Sequence, residues 1–212
     1  MTITNGYTTL PLLKAELGIP PTTTKNDTRL EAAVAAASRQ IDGHCARRYW
    51  QDSSVVTREY FPDDPYTCWV DDISTLTGLI VKIDPSDTGT FSTTLTITTH
   101  YIVLPTNAAD MVPARPWEKV RIVNPDGGTF PMSGSGRPGV QITAKFGWPA
   151  VPDDVAKACL IQATQLYKAS DAVFGGLSFG DAGFMRVRGA LNPMAEGLLE
   201  PYVRYGFPRV DE

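Results

Sequence analysis

Residues 27–50 read DTRLEAAVAAASRQIDGHCARRYW, and the apolar positions of this stretch recur at steps of four and three. That period predicts an amphipathic helix with one buried face. Thr28 and Glu31 have the spacing of a capping box, which predicts that the helix begins at this point. The face is rich in alanine, so a neighbouring helix can approach it closely. Its positions are Leu30, Val34, Ala37, Ile41 and Cys45.

A shorter helix is predicted just before this one, in TLPLLKAELGI at residues 9–19. Pro11 suits the first turn of a helix, and Gly18 ends it together with Pro20 and Pro21. The two helices are therefore predicted to form a helical hairpin. The apolar positions of the shorter helix are Leu10, Leu13 and Leu17.

Two more helices are predicted in the last third of the chain. The first spans about 152–170 and has Asp153 and Asp154 in its first turn, where the helix dipole favours acidic groups. The second spans about 193–200, and Asn192 is its predicted N-cap. The positions on one face of the longer helix are Val155, Cys159, Gln162 and Leu166.

Between these helices the apolar period changes to two. VQITAKF at residues 140–146 alternates apolar and polar side chains, which is typical of a half-buried strand. Turn clusters such as DPSD at residues 84–87 separate the strands. The strands are predicted at 55–61, 79–83, 93–98, 100–104, 117–123 and 140–146.

The predicted fold class is therefore α+β, a helical bundle with an inserted small antiparallel β subdomain. Because the strands leave and return to the same helices, helices and sheet are predicted to form one cooperative unit. A fragment of residues 53–148 is accordingly expected to be unstable. The predicted segments are N-terminal helices at 1–52, the β subdomain at 53–148, a third bundle helix at 149–172, a Gly/Phe-rich arm at 173–191 and a C-terminal short helix with a tail at 192–212.

The composition argues against several classes of protein. Of 212 residues, 42% are hydrophobic and 20% charged, which is typical of a globular chain. The 19 basic side chains face 23 acidic ones, so a dedicated nucleic-acid binder is not expected. Three well-separated cysteines predict neither a disulfide framework nor a zinc module. Without a visible secretion signal or an apolar stretch of bilayer length, a cytoplasmic product in a reducing compartment is expected.

Catalytic chemistry has few candidate residues. His44 and His100 are the only histidines, and the sequence has no nucleophile elbow, phosphate-binding loop, dinucleotide fingerprint or zinc-protease helix. Asp42, His44 and Cys45 lie close together, but only Asp42 and Cys45 have the spacing of one helix face. Cys45 is therefore predicted to pack in the core and His44 to face outward.

Two pairs of neighbouring aspartates, at 63–64 and 71–72, have the residue type that binds calcium or acts as paired acids. Each pair lies within one turn or at a strand end, where acidic residues are common, so plain surface carboxylates are predicted. No catalytic residue, metal site or cofactor is predicted, and the chain is not expected to be an enzyme.

FGGLSFGDAGFMRVRG at residues 174–189 combines glycine with phenylalanine and has no sustained helix or strand period. A solvated linker would lack aromatic side chains, so this segment is predicted to need a partner surface. Arg186 and Arg188 alternate with apolar residues as in a strand, which is compatible with a solvated edge or with an interaction strip on a partner. Arg47 and Arg48 most simply complement the C-terminal dipole of their helix, with an inter-subunit salt bridge as the alternative. The candidate residues for contact with another subunit or partner are Phe174, Phe179, Phe184, Met185, Arg186, Arg188, Arg47 and Arg48.

Six segments follow one another in a distinctive order: YTTLPLLKAELGI, LEAAVAAASRQIDGHCARRYW, TREYF, VDDISTLTGLIVKID, HYIVLPTNA and VQITAKFGWPAVPDDVAKACLIQATQLYKASDAVFG. Together they resemble the head-to-tail connector (adaptor) proteins of long-tailed bacteriophages, over residues 7 to about 205. The resemblance is most specific in CARRYW after the helix and in FGWPAVPDDV between sheet and helix. Members often carry glycine where Ala46 stands.

The resemblance implies a structural virion protein of the phage neck, assembled in the host bacterial cytoplasm. Its subunits would form a ring, usually of twelve copies, beneath the portal protein of a DNA-filled capsid. The ring would extend the DNA channel and link the head to the next neck (stopper) protein or the tail, and double-stranded DNA would pass through without specific binding.

The family places its C-terminal region against the portal. A chain without residues 190–212 is therefore expected to fold but not to dock. The candidate portal-docking residues are Leu198, Leu199, Tyr202, Tyr205 and Phe207.

Two other classes of function stay open at this point. One is a small cytoplasmic hydrolase with an unrecognised site, which a concave pocket with a perturbed acid or base would favour. The other is a β-rich binding module. Annular particles would favour the connector over both.

Overall fold

Helices and an antiparallel sheet form separate parts of the chain, which makes the fold α+β. The computed structural model describes residues 3–132, 134–171, 176–178, 184–186 and 190–204. These residues belong to two compact units. The helical unit draws on residues 1–48 and 151–212, and the sheet unit is residues 49–150.

The helical unit is organised around two long helices that pack on each other. A short first helix contacts both of them, and a short last helix packs on the second long helix and continues into a 3₁₀ turn. No helix in the described ranges combines the length and hydrophobicity that a bilayer span requires. The elements are α1 Leu10–Glu16, α2 Asp27–Cys45, α3 Asp153–Asp171, α4 Pro193–Leu199 and the 3₁₀ turn Glu200–Tyr202.

The predicted face of α2 is confirmed, since all five of its positions are buried. The predicted capping box is wrong. The chain is already helical at Asp27, one residue before Thr28, and the side chain of Asn26 at the N-cap makes no capping bond but donates to the Tyr167 hydroxyl at 3.1 Å. The start is held instead by an ion pair, in which Nζ of the buried Lys14 lies 2.6 Å from Oδ1 of Asp27.

The end of α2 explains a detail of the sequence. Ala46, the C-cap, adopts the left-handed conformation with φ of 51°. Glycine reaches this conformation without the steric penalty of a Cβ atom. This accounts physically for glycine at the same position in the proteins that the sequence resembles.

The sheet unit contains one antiparallel sheet of six strands. Along the sheet the order is β1-β6-β2-β5-β4, and β3 pairs with the end of β2. The burial of β6 alternates strictly, as its sequence predicts. The strands are β1 Val56–Tyr60, β2 Thr67–Ile83, β3 Thr93–Leu95, β4 Tyr101–Leu104, β5 Trp117–Ile122 and β6 Val140–Phe146.

The long strand β2 departs from the prediction, which included only residues 79–83. Its pairing with β6 shifts in register: Thr75 is opposite Lys145, whereas Ile80 is opposite Thr143. Five residues of β2 thus span two of β6, and Gly78 in the resulting bulge has φ of 81°. The bulge breaks the two-residue period that would reveal a continuous strand.

The core of the sheet unit is self-contained. Its buried apolar cluster lies wholly between Cys68 and Phe146. The two ends of the unit also contact each other. The rings of Tyr49 and Trp148, both fully buried, are 5.2 Å apart, and the amide of Asp52 donates to the carbonyl of Phe146 at 2.9 Å.

In contrast to the single cooperative unit that the sequence predicts, we expect a fragment of residues 49–150 to fold alone and to melt cooperatively, because its buried apolar cluster lies wholly within it. A fragment of residues 53–148 lacks Tyr49 and Asp52, and losing the buried tyrosine ring should cost it about 3 kcal/mol. Circular dichroism melting of both fragments tests this expectation. A longer fragment without a cooperative transition, or equal Tm values for the two, would contradict it.

Candidate assembly surfaces

The residues first considered for catalysis have structural roles. Cys45 is fully buried and His44 half-buried. Asp42 accepts a hydrogen bond from the Tyr7 hydroxyl and pairs with Arg39 at 3.1 Å, while burial raises the pKa of its carboxyl. Nδ1 of His100 accepts from the amide of Thr96 at 2.9 Å. In the ranges that the structure describes, no three His, Cys, Asp or Glu side chains are placed to hold a metal ion.

The three cysteines offer no reactive thiol. None of Cys45, Cys68 and Cys159 forms a disulfide bond, and all three are buried. Burial raises the pKa of Cys68 to about 12 and also raises the pKa of Cys159. Because the thiolate is the nucleophilic form, a raised pKa lowers the reactivity of both thiols.

The first aspartate pair lies in a turn, as predicted. Oδ2 of Asp63 accepts from the amide of Trp69 at 2.9 Å, and Oδ1 of Asp64 accepts from the amide of Tyr66 at 2.7 Å. These bonds satisfy one backbone amide in the turn before β2 and one near the start of β2. The pair therefore shapes a turn.

In the second aspartate pair, the prediction of plain surface carboxylates is wrong for Asp72. Asp71 pairs with Arg58 at 2.5 Å, but Asp72 is only 4% exposed and accepts from Nε1 of the buried Trp148 at 3.0 Å. Adjacent strand residues face opposite sides of a sheet. One member of the pair must therefore face inward, and Trp148 gives it a hydrogen-bond donor.

The arginines at the end of α2 are both half-buried. Arg47 donates its backbone amide to the carbonyl of Asp42 at 3.3 Å, which closes the last turn of the helix. The charge of Arg48 lowers the pKa of Asp42, though less than burial raises it. Both arginines thus lie at the helix C-terminus, where a positive charge complements the dipole.

The glycine-rich arm contains more regular structure than its sequence predicts. Gly176–Ser178 (β7) pairs with Phe184–Arg186 (β8) in a two-stranded antiparallel ladder, with Met185 opposite Leu177. The ladder brings Phe184, Met185 and Arg186 onto one strand. The predicted contact residues Phe174, Phe179 and Arg188 lie outside the described residues.

The predicted docking residues divide into three groups. Leu199 and Tyr202 are buried within the helical unit, and the Tyr202 hydroxyl donates to Asp154 at 2.9 Å. Leu198 is half-buried. Tyr205 and Phe207 lie outside the described residues. Leu199 and Tyr202 therefore pack against their own subunit, a role that the short C-terminal helix pattern did not reveal.

Two exposed apolar groups in the sheet unit were missed by sequence reasoning. The first, which we call the loop tip, is Met111 and Val112 in the connection between β4 and β5, with exposed fractions of 41% and 99%. The fully buried Ala108 anchors this loop. Its carbonyl accepts hydrogen bonds from the amides of Met111 at 3.4 Å and Arg115 at 2.9 Å. Backbone hydrogen bonds therefore hold the loop that exposes these apolar side chains.

The second group, which we call the bulge patch, is Val55, Leu76 and Ile80. Their exposed fractions are 46%, 36% and 43%. Val55 lies against the bulge of β2, since a Cβ on Gly78 would be 3.0 Å from its Cγ1. Sequence periodicity does not reveal apolar residues beside a bulge, because the bulge interrupts the alternation of the strand. It does not reveal an isolated Met-Val pair in a loop either.

Comparison with known proteins gives structural matches only. No protein family and no curated protein matches the sequence. A chain in the neck of an empty gene transfer agent particle with C6 symmetry is 16% identical over 98% of this chain and 94% of that one, with a TM-score of 0.54. A chain of a native gene transfer agent virion is 17% identical over the same shares, with a TM-score of 0.53. A chain in the neck of a native particle with C12 symmetry is 18% identical over 98% and 97%, with a TM-score of 0.51. The chain shares the fold of these proteins.

Proposed function

We propose that this chain is a structural neck protein of a tailed-phage-like particle. Its subunits form a ring, of twelve copies in the virion, beneath the portal protein. The ring extends the DNA channel and connects the head to the next neck protein or the tail. In each subunit the helices form a bundle into which the sheet unit is inserted.

The observation that carries the proposal is the extent of the shared fold. The matches to particle necks cover 98% of this chain and at least 94% of theirs, so both units correspond and not only a common motif. The residue order that resembles phage connector proteins covers nearly the same span and supports the same role. Two independent properties of the chain thus favour one function.

The net charges of the two units support the proposal that DNA passes through the ring without specific binding. The sheet unit carries 11 acidic and 7 basic side chains, a net charge of −4, whereas the helical unit carries 12 of each sign. Tight binding to the phosphate backbone requires a clustered basic surface. A channel component must release the DNA that moves through it, so a neutral to acidic subunit suits the role.

The contact residues enter the proposal in two sets. We assign neighbour contacts to Arg47 and Arg48 and to the arm at 173–191. Portal docking falls to the tail beyond Arg204, including Tyr205 and Phe207, together with the half-buried Leu198. Leu199 and Tyr202 contribute indirectly by holding α4 on the subunit.

Negative-stain electron microscopy of the purified chain, alone and mixed with the portal protein from the same genome, tests the proposal. We expect annular particles, with the portal protein increasing their number and fixing their copy number. An equimolar mixture in which the chain stays monomeric and does not bind the portal would overturn it. Bovine serum albumin at the same concentration serves as the control for adventitious clusters.

A further inference from the structure

The loop tip and the bulge patch lie in the same compact unit but in different parts of its sheet, since Leu76 and Ile80 of the bulge patch are on the central strand β2. In the strand order β1-β6-β2-β5-β4, the loop tip follows the edge strand β4, whereas Val55 directly precedes the other edge strand, β1. Apolar side chains with these exposures are costly to leave in water, and contiguous exposed apolar surface marks interaction sites. Two such separate sites suit a contact that repeats from copy to copy.

The charges beside the two apolar groups are opposite. Asp110, directly before Met111, is exposed. On the other side, Ile80 is opposite Thr143 in the sheet, and Lys145 lies two residues further along the same strand, so Ile80 and Lys145 share a face. The loop tip therefore has one exposed negative charge, Asp110, while Arg115 of the same loop is half-buried. The sheet face of Ile80 carries Lys82 and Lys145 against Glu59, which leaves a net positive charge.

We propose that the loop tip of one copy packs on the bulge patch of the next copy, with Asp110 facing Lys145 across the contact. This inference rests on the proposed ring and names the surfaces that close it. Because the two surfaces differ, the contact is heterologous, and repetition of a heterologous contact gives a ring when the rotation closes. Both surfaces remain exposed within one subunit.

Disulfide trapping in the full-length chain tests the contact. The native cysteines are buried, so engineered cysteines are the reactive ones. We expect the double variant Val112→Cys/Ile80→Cys, oxidised at high protein concentration, to give a ladder of covalent dimers, trimers and larger species. A disulfide forms only where two Cα atoms approach within about 7 Å, so the ladder reports direct contact.

Three controls make the result specific. Val112→Cys alone and Ile80→Cys alone should form no covalent oligomer, and Val112→Cys mixed with Ile80→Cys should give covalent dimers and nothing larger. Val112→Cys/Met194→Cys, whose second cysteine replaces a methionine that is 72% exposed, should give no ladder. Dimers from Val112→Cys alone would show a symmetric contact instead, and absence of any ladder from the double variant would overturn the proposal.

Charge reversal tests the ionic part. Added to the double-cysteine variant, Asp110→Lys should lower the yield of the ladder several-fold, because it sets two lysines against each other. The further change Lys145→Asp should restore the yield. A yield that Asp110→Lys leaves unchanged would remove Asp110 and Lys145 from the contact.

The outcome for this contact is separable from that of the proposed function. Wild-type rings seen by microscopy without any covalent ladder would leave the neck role intact and refute this interface. A ladder without closed rings would support the interface and refute the ring.

Discussion

Replacing Gly147 with alanine is expected to unfold the sheet unit at concentrations of denaturant that leave the wild type folded. A Cβ atom at this position would lie 1.9 Å from the carbonyl oxygen of Trp50, a distance that no side-chain adjustment relieves. Gly147 also has φ of 106°, a conformation that L residues rarely adopt. The two effects together should cost more than about 3 kcal/mol of unfolding free energy.

Tryptophan fluorescence during urea unfolding measures this directly, because all four tryptophans of the chain lie in the sheet unit. Gly134→Ala is the matched control. A Cβ there meets no atom within 4 Å, so the free energy of unfolding should change by less than about 0.5 kcal/mol. Equal urea midpoints for the Gly147 variant and the wild type would show that the junction at Trp50 tolerates the added atom.

Removing residues 190–212 is expected to destabilise the helical unit strongly. This differs from the sequence-based expectation that the shortened chain folds normally. Leu199 and Tyr202 are buried, and the amide of Asn192 donates to Oε1 of Gln162 at 2.8 Å. Loss of one buried leucine and one buried tyrosine alone should cost more than about 3 kcal/mol. Thermal melting followed by far-ultraviolet circular dichroism is the measurement.

A cut after Arg204 separates folding from docking. It keeps α4, the 3₁₀ turn and the bond from the Arg204 amide to the carbonyl of Cys45 at 3.0 Å. This shorter deletion should melt like the full chain, and under the proposed function it should lose most of its binding to the portal protein. A chain of residues 1–189 that melts like the full chain would show that α4 adds nothing to the stability of the subunit.

The helices were predictable because burial on one side imposes a regular period. The face of α2 and the bounds of α3 and α4 follow from such periods and from Asn192, whose Oδ1 accepts from the amide of Met194 at 2.9 Å. The first two-thirds of β2 was not predictable, since its polar aspartates and its bulge interrupt alternation. Asp72 shows the limit most clearly. Its partner Trp148 is 76 residues away, and no local pattern links them.

The assembly surfaces were predictable only in part. Aromatic residues in a glycine-rich arm suggest a need for burial, but a sequence does not reveal which apolar residues already have partners. Leu199 and Tyr202 have the same residue types as a docking surface, yet they are buried in their own subunit. Val112 is the opposite case: a single valine in a loop gives no sign in the sequence that its side chain is exposed. Exposure is a property of the folded chain.

The closed ends of the sheet unit bear on how such a protein evolves. Because the amide of Asp52 is bonded to the carbonyl of Phe146, the chain enters and leaves this unit at nearly the same point. An insertion with adjacent ends imposes little loop-closure entropy on the host fold, and its own sequence is free to drift or be replaced. Recombination between related genomes could therefore exchange the whole segment as a cassette, changing the surfaces it carries while the two long helices keep their pairing.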